Sequence, residues 1–331
     1  MQITLQTLTP LWTGGIDQTC DRLHETGLLG SLRWWYEALV RGLGGYACNP
    51  TEQSCIYDPA KPNNGLCLGC QTFGATGWAR RFRLFVSDKT SPQSPPGTVS
   101  PTGNRLKRNK QDRPSWYFRP GRGGETVLHI LPLHQEFDPM IIVGLLKLIE
   151  RHAGLGAKTQ LGYGQIKIQN VSFSPNSFVE HIANLAHAQS EKNKGLPNLQ
   201  EMFFAQVQTS DRGITATLNL RYDVRAKFRT AFSNNRALRH WICGTVSGDR
   251  EASKVFFSQM VDGVMRVWGW IPDVPSENFP GISRDQVLVK IKEAIEAYGE
   301  VVSWREFNSE RDTFGKESDG KAFLCSLLED K

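Results

Sequence analysis

The sequence predicts an α+β fold made of two units in tandem, and three observations lead to that prediction. Over the first 177 residues, apolar alternation and helical spacing follow one another in the order strand, helix, strand, strand, helix, strand. A similar but less regular order follows residue 201. The chain has 331 residues, of which 39% are hydrophobic, so it is long enough for two packed cores. This order is that of the ferredoxin-like fold, which RNA-recognition (RRM-like) modules also use.

The elements of the first unit are well marked. The first helix has apolar residues at helical spacing (Leu28, Leu32, Trp35 and Leu39) and ends at the glycines that begin with Gly42. The second helix starts after Asp138-Pro139 and ends at Gly154. We interpret Trp34 and Trp35 as core aromatics rather than base-stacking groups. The predicted strands cover residues 2–9, 82–86, 127–133 and 163–173.

The second unit is predicted more coarsely, and we expect it to repeat the first. The motif Leu32-Arg-Trp-Trp35 is echoed by Leu238-Arg-His-Trp241. Its predicted elements are strands over 205–222, 254–257 and 264–270 and helices over 235–242 and 283–297. The expected division is a first domain over 1–177, with a cysteine-bearing insertion at about 45–70, a linker over 178–200, and a divergent second domain over 201–331.

The basic residues are clustered. The formal net charge is only +6, but residues 105–122 carry seven Arg or Lys against one Asp, and residues 221–240 carry six against one. Both runs contain aromatic residues, which favours a polyanionic partner over the alternative of two solvated charged faces. Neither a signal peptide nor an apolar stretch of membrane-spanning length is evident, so we expect a cytoplasmic protein.

A glycine-rich segment, Gly154-Leu-Gly-Ala-Lys-Thr-Gln-Leu-Gly-Tyr-Gly164, connects the second helix to the last strand of the first unit. Its glycines allow close backbone approach and positive φ, so its N–H groups are able to cradle phosphate while Lys158 supplies charge. A nucleotide-binding fingerprint is not supported, because such loops lead from a strand into a helix. The alternative is a glycine-rich connection without a ligand.

At this segment the sequence resembles the C-terminal glycine-rich signature of the RAMP superfamily, RNA-binding components of CRISPR systems. Further segments resemble the first subunits of Cmr (type III-B) effector complexes. They are Leu8-Thr-Pro-Leu-Trp-Thr-Gly-Gly15, Thr26-Gly-Leu-Leu-Gly-Ser-Leu-Arg-Trp-Trp-Tyr36, Phe73-Gly-Ala-Thr-Gly-Trp-Ala-Arg-Arg81 and Val264-Met-Arg-Val-Trp-Gly-Trp-Ile-Pro272. The resemblance implies a two-domain ferredoxin-like subunit without nuclease activity, which holds guide RNA near its 3′ end and helps to bind target RNA in antiviral defence. It also implies other Cmr subunits as partners.

The expected RNA-binding residues lie in the glycine-rich segment, in the long polar loop over 90–122 and at the first helix and the end of the insertion. They are Arg33, Arg80, Arg81, Arg105, Lys107, Arg108, Lys110, Arg113, Gly154, Gly156, Lys158, Gly162, Tyr163 and Gly164.

The insertion contains four cysteines, Cys48, Cys55, Cys67 and Cys70, spaced C-x6-C-x11-C-x2-C. The final C-x2-C is a good half-site for tetrahedral zinc, whereas the first pair is spaced more widely than usual. We expect a structural zinc site, with disulfides and free thiols as the alternatives. Four thiolates fill the coordination shell, which argues against catalysis at this metal.

His24, just ahead of the first helix, is the one candidate for a catalytic residue. Some RAMP relatives that process guide precursors use a histidine near the first helix to cleave RNA by acid–base chemistry. No second catalytic group is evident near His24 in the sequence, and we interpret Asp17 and Asp21 as parts of a solvated loop. The main expectation is therefore a non-catalytic RNA-binding subunit. The alternatives are a metal-independent endoribonuclease of the same superfamily and a free-standing RNA-binding regulator.

Overall fold

The computed structural model describes residues 1–52, 55–93, 97–105, 114–187, 195–233, 235–246, 248, 250–272 and 279–329. The helices are α1 (Glu25–Gly42), α2 (Leu68–Phe73), α3 (Met140–His152), α4 (Pro175–His187), α5 (Gly213–Ala231), α6 (Arg236–Cys243), α7 (Arg284–Glu296) and α8 (Gly320–Leu328). The strands are β1 (Gln2–Thr7), β2 (Phe82–Asp88), β3 (Ser91–Gln93), β4 (Thr98–Val99), β5 (Trp116–Tyr117), β6 (Gly121–Gly123), β7 (Glu125–Pro132), β8 (Ile166–Ile168), β9 (Met202–Gln208), β10 (Val255–Phe257), β11 (Val264–Trp270) and β12 (Glu300–Glu306).

The first half is built on a four-stranded antiparallel sheet with the order β2-β7-β1-β8. Alternate residues of these strands, such as Ile3, Leu84 and Ile130, are buried against α1 and α3. The predicted order strand, helix, strand, strand, helix, strand is confirmed for this half. Its last strand, however, covers only Ile166–Ile168 of the predicted 163–173.

The two long helices of this half form where the apolar spacing predicts them. Leu28, Leu32, Trp35 and Leu39 form the buried stripe of α1, and Trp35 is only 2% exposed. The carboxylate of Asp138 accepts a hydrogen bond of 2.8 Å from the amide of Met140, which satisfies one of the amide groups at the start of α3.

The second half repeats the strand order of the first. Its sheet runs β10-β11-β9-β12, so in both halves the second strand lies at one edge, followed by the third, the first and the fourth. The predicted helices near 235–242 and 283–297 and the strand over 264–270 are confirmed.

The strand predicted over 205–222 is wrong beyond Gln208, because helix α5 begins at Gly213. Ile214, Ala216, Leu218 and Leu220 alternate as in a strand, but they lie in the first turns of a helix whose residues 216–220 are all buried. Burial around the helix removes the 3.6-residue pattern from which helices are recognised.

The two halves share the larger apolar core. Phe204 of β9 stacks on Trp35 with the ring centroids 6.4 Å apart, and the ring of His152 lies 5.1 Å from the ring of Phe204. Helix α4, which lies in the expected linker region, and the C-terminal helix α8 both pack into this core through residues such as Ile182 and Leu327. The halves are therefore packed against each other by buried apolar side chains.

The segment over 90–122, expected as a long loop, contains short strands where it is described. β3 pairs with β6, and β4 pairs with β5. This segment reaches the second half, because the amide of Thr102 donates a hydrogen bond of 2.8 Å to the side-chain oxygen of Asn219. Among the helices of the described ranges, none combines the length and the apolar character that crossing a bilayer requires.

Candidate nucleic-acid interface and cysteine cluster

The glycine-rich segment is folded onto the chain that follows β1. The amide of Gly164 donates to the carbonyl of Pro10 at 2.9 Å, and the amide of Ala157 donates to that of Trp12 at 2.9 Å. Within the segment, the amide of Leu155 donates to the carbonyl of Gly164 at 2.8 Å. These amides are satisfied inside the protein, which limits how many N–H groups of the segment remain for a phosphate.

The glycines of the segment are required by its own packing. Gly156 has φ +82° and Gly164 has φ +87°, which is the left-handed region that glycine adopts without steric cost. A Cβ at Gly156 would lie 2.6 Å from the carbonyl oxygen of Trp12, and one at Gly164 would lie 2.1 Å from that of Leu155. The glycines therefore allow backbone to approach backbone.

Lys158 projects from this segment onto an aromatic side chain. Its Nζ lies 3.0 Å from the centroid of the Trp12 ring, which is a cation–π geometry. Burial, followed by the nearby charge of Arg119, lowers the pKa of Lys158 to about 8. The hydroxyl of the buried Tyr163 donates to the carbonyl of Arg119 at 2.6 Å, which ties the 116–123 region to the segment. Two cations thus lie together at the surface of an aromatic cluster.

This cluster joins the two halves of the chain. It is formed by Trp12, Cys20, Val99, Phe118, Tyr163, Ile214 and Leu218, of which the last two belong to α5. The ring of Trp116 lies at its edge, with its indole N–H donating to the Tyr222 hydroxyl at 3.0 Å. Arg221 stacks over Trp116 at 5.2 Å and donates to the carbonyl of Gln160 at 3.0 Å. The second half therefore supports the glycine-rich segment.

Other residues predicted to bind RNA lie in different places. Arg105 forms an ion pair with Asp223 of α5, with its Nε 2.8 Å from the carboxylate. Arg80 lies beside Gly74 at the end of the insertion, and Arg81 pairs with Glu136 at 3.7 Å. The remaining four members of the set, Lys107, Arg108, Lys110 and Arg113, lie outside the described residues.

Arg33 lies at the cysteine cluster instead of beside Lys158. It donates to Glu37 at 2.7 Å, to the carbonyl of Gly74 at 3.0 Å and to the sulfur of Cys70 at 3.2 Å. The sequence could not reveal this, because Gly74 and Cys70 belong to a different element from α1.

His24 has a carboxylate partner that the sequence interpretation missed. Its Nε2 lies 2.7 Å from the carboxylate of Asp21, which is exposed in a loop. The amide of His24 donates to the hydroxyl of Thr13 at 2.8 Å, which fixes the start of α1. The i, i+3 spacing was the available signal for this pair.

The four cysteines of the insertion meet at one point between α1 and α2. Their sulfur atoms all lie within 4.8 Å of one another, and the sulfurs of Cys48 and Cys70 are 3.6 Å apart. A disulfide requires about 2.05 Å, whereas two thiolates bound to one zinc at about 2.3 Å lie roughly 3.8 Å apart. The arrangement has the size of a tetrahedral metal site.

Backbone and side-chain donors surround these sulfurs. The amide of Cys67 donates to the sulfur of Cys55, and that of Cys70 donates to the sulfur of Cys67, both at 3.4 Å. The guanidinium group of Arg33 donates to the sulfur of Cys70 at 3.2 Å. Donors of this kind stabilise the thiolate form that a metal requires.

Comparison with solved structures shows similarity in fold. The chain resembles apo Cmr1 from Pyrococcus furiosus with a TM-score of 0.51 and 13% sequence identity, covering 91% of this chain and 97% of that chain. A chain of the type III-B Cmr-beta complex bound to cognate target RNA and AMPPnP, in the presence of ssDNA, matches with a TM-score of 0.49 and 12% identity over 90% of this chain and 99% of that one.

Sequence comparison gives the family. No curated protein matches the chain in sequence. The model of the RAMP superfamily matches residues 4–167, which include most of β1, both long helices of the first half and the whole glycine-rich segment. Through these residues the chain belongs to the RAMP superfamily.

Proposed function

We propose that the chain is a non-catalytic RNA-binding subunit of a type III-B CRISPR (Cmr) effector complex, built from two ferredoxin-like units. Each half has the strand order and the βαββαβ arrangement of that fold, which supports the second part of the proposal. The fold similarity to Cmr1 supports the first part. In this role the chain holds guide RNA near its 3′ end, with target RNA and other Cmr subunits as partners in the cytoplasm.

One observation carries the RNA-binding part of the proposal. Lys158 is held on Trp12 in the aromatic cluster that joins the two halves of the chain. It lies close enough to Arg119 for that charge to lower the pKa of Lys158. Two adjacent cations held by this buried cluster form a site for a phosphate group. We expect Lys158, more than the amides of its loop, to contact the RNA backbone. Gly154, Gly156, Gly162 and Gly164 serve this site by shaping the segment.

The experiment that tests this function has two parts. Co-purification of the tagged chain with the other subunits of a Cmr complex separates a subunit from a free-standing regulator. Titration of labelled single-stranded RNA with the purified chain, at several salt concentrations, tests binding. Stable incorporation together with salt-dependent binding supports the proposal. Absence of both refutes it.

The second candidate function, a metal-independent endoribonuclease, is favoured by the pairing of His24 with Asp21. A carboxylate at 2.7 Å is able to orient an imidazole for proton transfer from a ribose 2′-hydroxyl. Against this function, His24 makes no described contact with Lys158 or Tyr163, the groups that would complete an acid–base site. Loss of RNA cleavage in a His24→Ala variant distinguishes the two functions.

We also propose that the cysteine cluster holds one structural zinc ion. The sulfur separations and the surrounding donors fit a tetrathiolate site, and Arg33 offsets part of its negative charge. Bound zinc would cross-link the insertion within itself and would take no part in catalysis. Metal analysis of protein purified without chelator should give about one zinc per chain. A metal-free protein with a folded insertion would refute this proposal.

A further inference from the structure

A group of basic side chains on α5 and α6 lies away from the glycine-rich segment. We call it the arginine cluster: Arg225, Arg229, Arg236, Arg239 and His240. Arg225 and Arg229 are one helical turn apart on α5, and α6 packs against that helix with Arg236 exposed, His240 half-buried and Arg239 buried. Its apolar residues Leu238 and Ile242 are buried. The two helices therefore present one basic surface in the second half.

The carboxylates around this surface are engaged elsewhere. Among the described residues, Asp223 pairs with Arg105, Glu251 with Lys254 at 3.2 Å, and Glu293 with both Lys227 at 2.6 Å and Lys290 at 2.7 Å. Arg225 donates to the carbonyls of Cys243 and Gly244, both at 3.0 Å, which orders its side chain without neutralising it. The positive charges of Arg229 and Arg236 are thus not balanced by these carboxylates.

The positions of three members act against local stability. Arg236 is the first residue of α6, where the helix dipole disfavours a cation, and the first turn carries no acidic residue to offset it. Arg225 and Arg229 repel each other as a like-charged i, i+4 pair. Burial, followed by the charges of Arg229 and Arg225, also lowers the pKa of Arg239. Exposed cations placed against local preference, as Arg236 is, are expected at functional sites.

We propose that the arginine cluster is a second RNA-binding site, at which exposed Arg229 and Arg236 contact the phosphates of a single strand. The planar guanidinium group suits bidentate contacts with phosphate, and arginine supplies four of the five members of the cluster. RNA is favoured over an acidic protein surface because its backbone offers a phosphate at every nucleotide to the guanidinium groups of the two helices. The inference rests on the proposed function and extends it to the second half of the chain.

The test is a double substitution in the full-length chain, Arg229→Ala with Arg236→Ala. Each phosphate contact contributes about 0.7 to the slope of log affinity against log salt for a single strand, so the slope should decrease by about 1.4. If variant and wild type bind equally at about 1 M salt, the affinity at about 0.1 M falls roughly 25-fold. Fluorescence anisotropy of a labelled single-stranded RNA measures both quantities.

The matched control is Lys290→Ala with Lys292→Ala, which removes the same charge from α7 in the same half. These lysines already pair with Glu293 and Glu296, so their loss should leave the slope close to that of the wild type. Arg229 and Arg236 are exposed, so we expect the cluster variant to keep the thermal midpoint of the wild type within a few degrees.

The outcomes separate this inference from the function on which it rests. If the folded cluster variant binds RNA with wild-type affinity and slope while Lys158→Ala is weakened, the cluster is not an RNA site but the proposed function stands. If the cluster variant keeps RNA affinity and loses only a protein subunit on co-purification, the surface binds an acidic protein and the inference is wrong. If the wild type binds no RNA, both proposals fail.

Discussion

Titration of Lys158 should make the affinity of the protein for RNA depend on pH. Burial against Trp12 and the charge of Arg119 lower its pKa to about 8, so the amino group is charged below that pH and neutral above it. Its protonated fraction in the free protein falls from about 0.9 at pH 7 to about 0.1 at pH 9. We therefore expect the affinity of the wild type for RNA to fall over this range. The salt slope should decrease by about 0.7, the contribution of one phosphate contact to a single strand.

Two variants isolate this effect. Lys158→Ala removes a charge-assisted hydrogen bond worth about 1.5–3 kcal/mol, which corresponds to roughly 10- to 100-fold weaker binding at pH 7. Lys158→Arg keeps its charge at pH 9, so its affinity should lose the pH dependence of the wild type. Anisotropy titrations at pH 7, 8 and 9 measure these effects. Equal affinities and equal pH profiles for the wild type and Lys158→Ala would refute the assignment of this residue.

The lowered pKa of Lys158 also makes the free energy of unfolding depend on pH. A lysine with a lowered pKa in the folded state binds its proton more weakly there than in the unfolded chain. Its contribution to the free energy of unfolding is therefore least favourable below about pH 8, and it improves as the pH rises toward the unfolded value near 10.5. Urea unfolding of the wild type should show this rise more strongly than unfolding of Lys158→Ala. Identical pH dependences would contradict the burial of Lys158 against Trp12.

Three further predictions concern the metal content and the stability of the fold. Cys70→Ser should lower the zinc content well below one ion per chain and lower the thermal midpoint, as metal analysis and calorimetry would show. Gly164→Ala should lower the free energy of unfolding by about 2 kcal/mol or more, because φ is +87° and the new Cβ meets the carbonyl of Leu155; urea unfolding measures this. Glu306→Gln should cost about 3–5 kcal/mol in the same assay, because the buried carboxylate pairs with Arg311 at 2.7 Å and Arg284 at 3.4 Å.

Helix α1 was predicted well because apolar residues are buried at helical spacing along its first turns. Leu28, Leu32 and Trp35 are buried there, with exposed or half-buried residues between them. In contrast, residues 216–220 of α5 are all buried, and the apolar residues from Ile214 to Leu220 alternate as in a strand. Tertiary packing overrides local preference there, and the periodicity of the sequence does not contain information on that packing.

In the candidate site, features set by local spacing could be predicted from the sequence, and contacts between distant residues could not. The spacing of Cys67 and Cys70 is local, so the cysteine cluster could be predicted from the sequence. The contact between Trp12 and Lys158 joins residues far apart in the chain, and it depends on the turn that Gly156 makes against β1. The role of Arg33 was missed for a similar reason, because its partners Gly74 and Cys70 lie across the insertion.

The most direct test of the central claim measures binding and cleavage together. Guide precursor and guide-matched target RNA are incubated with the purified chain, with and without divalent metal, beside the His24→Ala variant. Wild type and variant are predicted to bind both RNAs in a salt-dependent manner and to leave them uncut under every condition. Cleavage by the wild type that disappears in His24→Ala would contradict the account and identify the chain as an endoribonuclease.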